Sequence, residues 1–128
     1  MQAAMSDYIA CIECAIMADM TEEQLIALAL SLPEAIQSAH FDTRDFRVRG
    51  RIFMTLPGGD YCVVRLKPDQ QKMAIATVPD AVTAVPGGWG ERGSTRLYYA
   101  VADDRTVHDL VQQAWKNTAP KSLISKEE

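Results

Sequence analysis

Phe46-Arg47-Val48-Arg49-Gly50-Arg51-Ile52-Phe53-Met54-Thr55-Leu56 reads as two strands joined at a glycine. Apolar and polar residues alternate along it with period two, the repeat of a strand that buries one face. Gly50 supplies the turn, because glycine reaches left-handed backbone without a Cβ clash. Carried outward into residues 61–67 and 95–101, the same alternation writes out two sheet faces. Phe46, Val48, Ile52, Met54, Leu56, Cys62, Val64, Leu66, Leu97, Tyr99 and Val101 fall on one face, expected to meet the helices. Arg47, Arg49, Arg51, Phe53, Thr55, Tyr61, Val63, Arg65, Lys67, Arg96 and Tyr98 fall on the other. On this reading the second face holds six cations, three aromatics and no carboxylate.

Helices flank these strands. Thr21-Glu22-Glu23-Gln24 is a capping box, and Leu25, Leu28, Ala29 and Leu32 follow at helical spacing until Pro33 stops them. The spacing predicts a helix over 21–31. Pro57-Gly58-Gly59-Asp60 is a tight turn before the third strand, 61–67. Pro68 opens a short helix to about Thr77, since proline suits a first helical position. Residues 82–85 form a brief strand, ended by Pro86-Gly87-Gly88, and residues 95–101 form another. A last helix over about 104–118 places Val107, Leu110, Val111, Ala114 and Trp115 on one face. Pro120 closes it, and residues 122–128 read as a polar tail. The order α-β-β-β-α-β-β-α gives an α+β fold with two layers, an antiparallel sheet carrying helices on one face.

The hairpin stretch, His40-Phe41 before it, and Trp89-Gly90-x-x-Gly93 and Ala114-Trp115 after it resemble the MmcQ/YjbR family of small bacterial proteins. The other matching positions are Leu66, Lys67, Thr95, Pro120 and Lys121, with Phe46, Arg47, Val48, Gly50, Ile52, Phe53 and Leu56 inside the hairpin. The resemblance covers residues 20–124. It implies a YjbR-like domain there, with an N-terminal extension over 1–19 and a polar end over 125–128. It also implies an arrangement similar to that of secretion chaperones, and DNA binding as the activity. Ser94 departs from the pattern, in which a tryptophan often stands between the second glycine and the threonine.

Composition narrows the functional classes. The net charge of −4 opposes a generic nucleic-acid binder, which tends to be basic. The charge is uneven, however. Residues 1–39 carry six acids and no Lys or Arg, whereas residues 40–72 carry seven bases against four acids. A basic middle is thus masked by an acidic first third. Three cysteines without a basic leader suggest free thiols and a cytoplasmic setting. The longest apolar run, interrupted by Glu13, is too short for a membrane span. Cys11 and Cys14 have zinc-knuckle or redox spacing, but a structural zinc needs four ligands and no set is visible. Packing of Cys11 with its apolar neighbours on a docked helix over 6–18 is the expectation, and no metal or other cofactor is expected. No catalytic motif emerges, and Asp103-Asp104 at a helix start are explained by capping.

Arginines suit phosphates and aromatic rings suit bases, so the polar face is the candidate nucleic-acid surface. Its members are Arg47, Arg49, Arg51, Arg65, Lys67 and Arg96 with Phe53, Tyr61 and Tyr98. A solvated face is one competing reading; another is a protein-interaction or chaperone-like adaptor, in which that face or the N-terminal extension meets a protein partner or a second copy. The third reading is a small-ligand binder or enzyme around His40 and Trp89. Against it, His40 has no identifiable acid–base partner in the sequence, and a loop tryptophan often anchors its loop on the core. A deep pocket holding both residues would favour it.

Overall fold

The computed structural model describes residues 20–58 and 60–127. The expectations for Cys11, Cys14 and a docked helix over 6–18 lie outside them. The elements in chain order are α1 (Glu22–Leu30), β1 (Ala35–His40), β2 (Thr43–Val48), β3 (Arg51–Leu56), β4 (Cys62–Arg65), α2 (Pro68–Thr77), β5 (Val82–Ala84), α3 (Gly88–Glu91), β6 (Ser94–Leu97), α4 (Asp104–Thr118) and α5 (Lys121–Glu127). The six strands form one antiparallel sheet in the order β1-β2-β3-β4-β6-β5. The expected α+β architecture and order hold, with three additions: β1, the single-turn α3, and α5. Helix α5 replaces the expected polar tail from Ser122, because Leu123 is buried in the core and anchors it.

Local chemistry sets the helix starts. The Thr21 hydroxyl accepts from the Gln24 N–H at 3.1 Å, and the Gln24 side chain accepts from the Thr21 N–H at 3.0 Å. Both are donors that a helix start would otherwise leave unpaired. Asp103 caps α4 by accepting from the Thr106 N–H at 2.8 Å. That amide holds the Asp103 carboxyl below its ordinary range, since the bond favours the charged form.

The core lies between the sheet and the helices. Phe46, Val48, Met54, Val64, Leu110 and Trp115 are buried as expected. The indole of Trp115 is fully enclosed, and its N–H donates to the Pro33 carbonyl at 3.0 Å, which satisfies the ring's only polar group. Leu28 and Ile52 are half-buried instead, and Val101 is exposed because β6 ends at Leu97.

One irregularity changes the faces. Phe46 pairs with Met54, but Arg47 pairs with Ile52 and Val48 with Arg51. Phe53 is left as an extra residue, a β-bulge. Strict alternation assigns Phe53 to the polar face, but the bulge lets both Phe53 and Met54 be fully buried. It also turns Ile52 to the polar face beside Arg47, and puts Arg51 in the row of Val48 at the end of the sheet.

Two hairpins use two-residue turns with positive φ at both positions, the form that matches strand twist. Arg49 (φ 53°) and Gly50 (φ 81°) join β2 to β3, as expected. Phe41 (φ 49°) and Asp42 (φ 66°) join β1 to β2, and Phe41 is almost wholly exposed at that tip.

Candidate nucleic-acid interface

The sheet face away from the helices is built by register. Ser38, Asp45, Thr55, Val63, Arg96 and Thr83 form one row across all six strands. Asp45 therefore stands on this face, which corrects the expectation of a face without carboxylates. It is fully buried and shared by two partners. Arg47 donates from Nε to Oδ1 at 2.8 Å and from Nη2 to Oδ2 at 3.1 Å. His40 Nδ1 lies 2.7 Å from Oδ2. The Arg47 hydrogen bonds hold the Asp45 carboxyl below its ordinary range; burial opposes this, and the His40 bond adds to the lowering. The acid partner that the sequence did not reveal for His40 is thus Asp45. His40 ends β1 and is bonded to a side chain.

The candidate cations separate into groups. Arg47 is committed to Asp45, and Arg49 to Glu34 at the start of β1. Arg51 and Arg65 carry no ion pair among the described residues; together with Arg47 they line a cavity of about 440 Å³. Arg92, which the sequence reading did not single out, lines it as well, and Asn117 and Thr118 at the end of α4 form its other wall, so the cavity lies at the end of the sheet beside α4. Lys67 is exposed just past β4, as the N-cap of α2, where its N–H donates to Gln70 Oε1 at 2.9 Å. At the other end of β4, the Arg96 guanidinium lies 5.0 Å from the Tyr61 ring centre, and Tyr61 meets Tyr98 at 5.4 Å. Phe53, in the core, is unavailable for stacking.

A second cavity of about 280 Å³ holds His40 and Trp89 together, with Thr55, Val63, Val85 and Ser94. Ile52 and Arg65 line both cavities, so the two adjoin. Trp89 is 61% exposed, which corrects the reading of it as a loop anchor on the core. The Arg92 guanidinium lies 5.1 Å from its ring centre, a cation–π contact that fixes the indole beside the arginine cavity.

The glycines of Trp89-Gly90-x-x-Gly93 make this loop fit. A Cβ on Gly90 would sit 1.6 Å from the Val85 carbonyl oxygen, and one on Gly93 1.8 Å from that of Leu66. Buried Gln71 of α2 holds the same loop, donating from Nε2 to the Gly90 and Ser94 carbonyls at 3.0 Å and to Thr95 Oγ1 at 3.1 Å. Its position on a weakly amphipathic helix gave no signal in the sequence.

His108, on the polar side of α4, is exposed. Cys62 is buried, and burial pushes its thiol up to about 12, which leaves it unreactive. Among the described residues no cluster could hold a metal ion, and no helix is long and apolar enough to cross a membrane.

A family model named YjbR matches residues 30–117, from the end of α1 through α4. Among solved structures, the Deinococcus radiodurans protein DR2400, a DUF419 domain, is similar in fold with a TM-score of 0.62. The two share 12% identity over 77% of this chain and 78% of that one, so the likeness concerns the fold alone. No curated protein matches the sequence.

Proposed function

The chain belongs to the YjbR family, and from the geometry of its sheet face we propose that it is a non-enzymatic, cytoplasmic nucleic-acid-binding protein. The observation that carries this is the convergence of Arg47, Arg51, Arg65 and Arg92 on one cavity that adjoins an exposed tryptophan. Guanidinium groups match phosphate oxygens in charge and geometry, and an indole offers a stacking surface that any base can use. A cavity for phosphate beside a platform for a base is the pairing that a nucleotide unit requires.

Binding is favoured over catalysis. His40 and Asp45 resemble an acid–base pair, but Asp45 is shared with Arg47 and no hydroxyl hydrogen-bonds to His40 among the described residues. A nucleophile hydrogen-bonded to its base is the usual geometric mark of covalent catalysis.

Affinity measured against salt concentration tests the reading. Phosphate contacts release counterions, so three to four of them give a log–log slope of roughly −2.7 to −3.6 on duplex DNA. Replacing Arg51, Arg65 and Arg92 together with Ala should flatten that slope and weaken all sequences alike. These three are preferred to Arg47 and Arg49, which already serve internal ion pairs. Absence of binding at low salt, or a variant that binds like wild type, would remove the proposal.

A further inference from the structure

We infer that the cleft between His40 and Trp89 receives one unpaired nucleobase, so that the preferred ligand is single-stranded nucleic acid. This rests on the nucleic-acid reading and narrows it. The cleft is about 280 Å³, near the lower end of small-ligand pockets (~300–1,000 Å³), which suits one planar ring system and not a stacked pair. Its walls are mixed in the way a base needs. Ile52, Val63 and Val85 give apolar surface, and Trp89 gives a π-face. Arg92 covers part of the indole, but the ring remains mostly exposed for a second partner.

Polar recognition comes from His40. The ionised Asp45 carboxylate only accepts hydrogen bonds, so the Nδ1 that meets it carries the proton. This leaves Nε2, on the opposite edge, for a hydrogen bond to a base edge. Arg65 lines both this cleft and the arginine cavity, so a base held here keeps its own phosphate within reach of the cations. A base inside a duplex has both faces stacked and its pairing edge occupied. It can enter such a cleft only by leaving the helix, at a cost of a few kcal/mol. A single strand avoids that cost.

The test compares a mixed-sequence single-stranded oligonucleotide, the same sequence as a blunt duplex, and free AMP, at low salt, with the full chain. The single strand should bind more tightly than the duplex and quench tryptophan emission. The quenching reports on Trp89, because Trp115 is enclosed in the core. Trp89→Ala should weaken single-strand binding by about tenfold, from the usual value of one stacked base, and duplex binding by distinctly less. Trp89→Phe should restore most of the loss. If both forms bind equally and Trp89→Ala changes neither, the base cleft is refuted while the arginine surface stands, provided the arginine variant still weakens both. If AMP binds as tightly as the oligonucleotide, the polymer is not the preferred ligand and the inference falls. If nothing binds, this inference and the proposed function fall together.

Discussion

Asp45 shows how a single side chain organises the surface. It orients Arg47 in a bidentate pair and fixes the tautomer of His40, from a position with no solvent exposure. A hydrogen bond to a charged group contributes about 1.5–3 kcal/mol, and Asp45 makes three, so Asp45→Ala should destabilise the fold by at least that amount at neutral pH. The pH dependence has a definite sign. The folded carboxyl titrates below its ordinary 3.8, so its contribution is complete above that value and is lost as pH falls through the lowered one. Urea denaturation should therefore find a gap between wild type and Asp45→Ala at pH 7 that narrows below about pH 4. A gap that stays constant down to pH 3 would mean that the ion pair is not what Asp45 contributes. The residue was readable in principle. It stands two positions before Arg47, hence on the same face of the same strand. Starting the strand at Phe46, where the apolar alternation becomes clear, left it out.

At the scale of elements, the loop from β5 to β6 is where backbone packing sets a functional position. Gly90 and Gly93 press directly on carbonyls of Val85 and Leu66, and Gln71 ties the loop to α2. Gly90→Ala has no room for its methyl against backbone, so it should cost about 2–3 kcal/mol as an overpacked site and displace Trp89 from the cleft. Thermal melting together with single-strand affinity checks this: loss of both is expected, and retention of both would mean the loop shifts freely. The sequence motif marked this loop, while its partner Gln71 was silent. Strand β1 was equally silent for a physical reason. It is an edge strand whose residues are exposed or half-buried, with Ile36 56% exposed, so it never needed the apolar alternation that reveals a strand. The bulge at Phe53 misled for the opposite reason. Alternation was present, but one extra residue reversed its phase through Ile52 and Arg51. The helices, by contrast, were legible because capping residues and core spacing agree in Thr21, Asp103 and the Val107–Trp115 stripe.

For the whole molecule, the electrostatic question is how a chain of net charge −4 approaches a polyanion. The cations around the arginine cavity act at contact distance, whereas the excess of acid over base in the whole chain contributes a repulsive field at longer range. That field is screened over about 10 Å at 0.1 M salt and about 30 Å at 0.01 M. The two contributions therefore separate by ionic strength. Asp7, Glu13 and Asp19 precede the matched family region, and converting them to Asn, Gln and Asn moves the net charge from −4 to −1. Stopped-flow association with a single-stranded oligonucleotide should then be faster than wild type at 0.01 M salt, with the advantage fading by about 0.15 M. Dissociation should change little, because overall charge balance acts on the encounter more than on contacts already formed. A rate advantage that persists at high salt would place these acids in direct contact with the ligand. No advantage at low salt would mean that local cation geometry, and not the overall charge balance, governs the encounter.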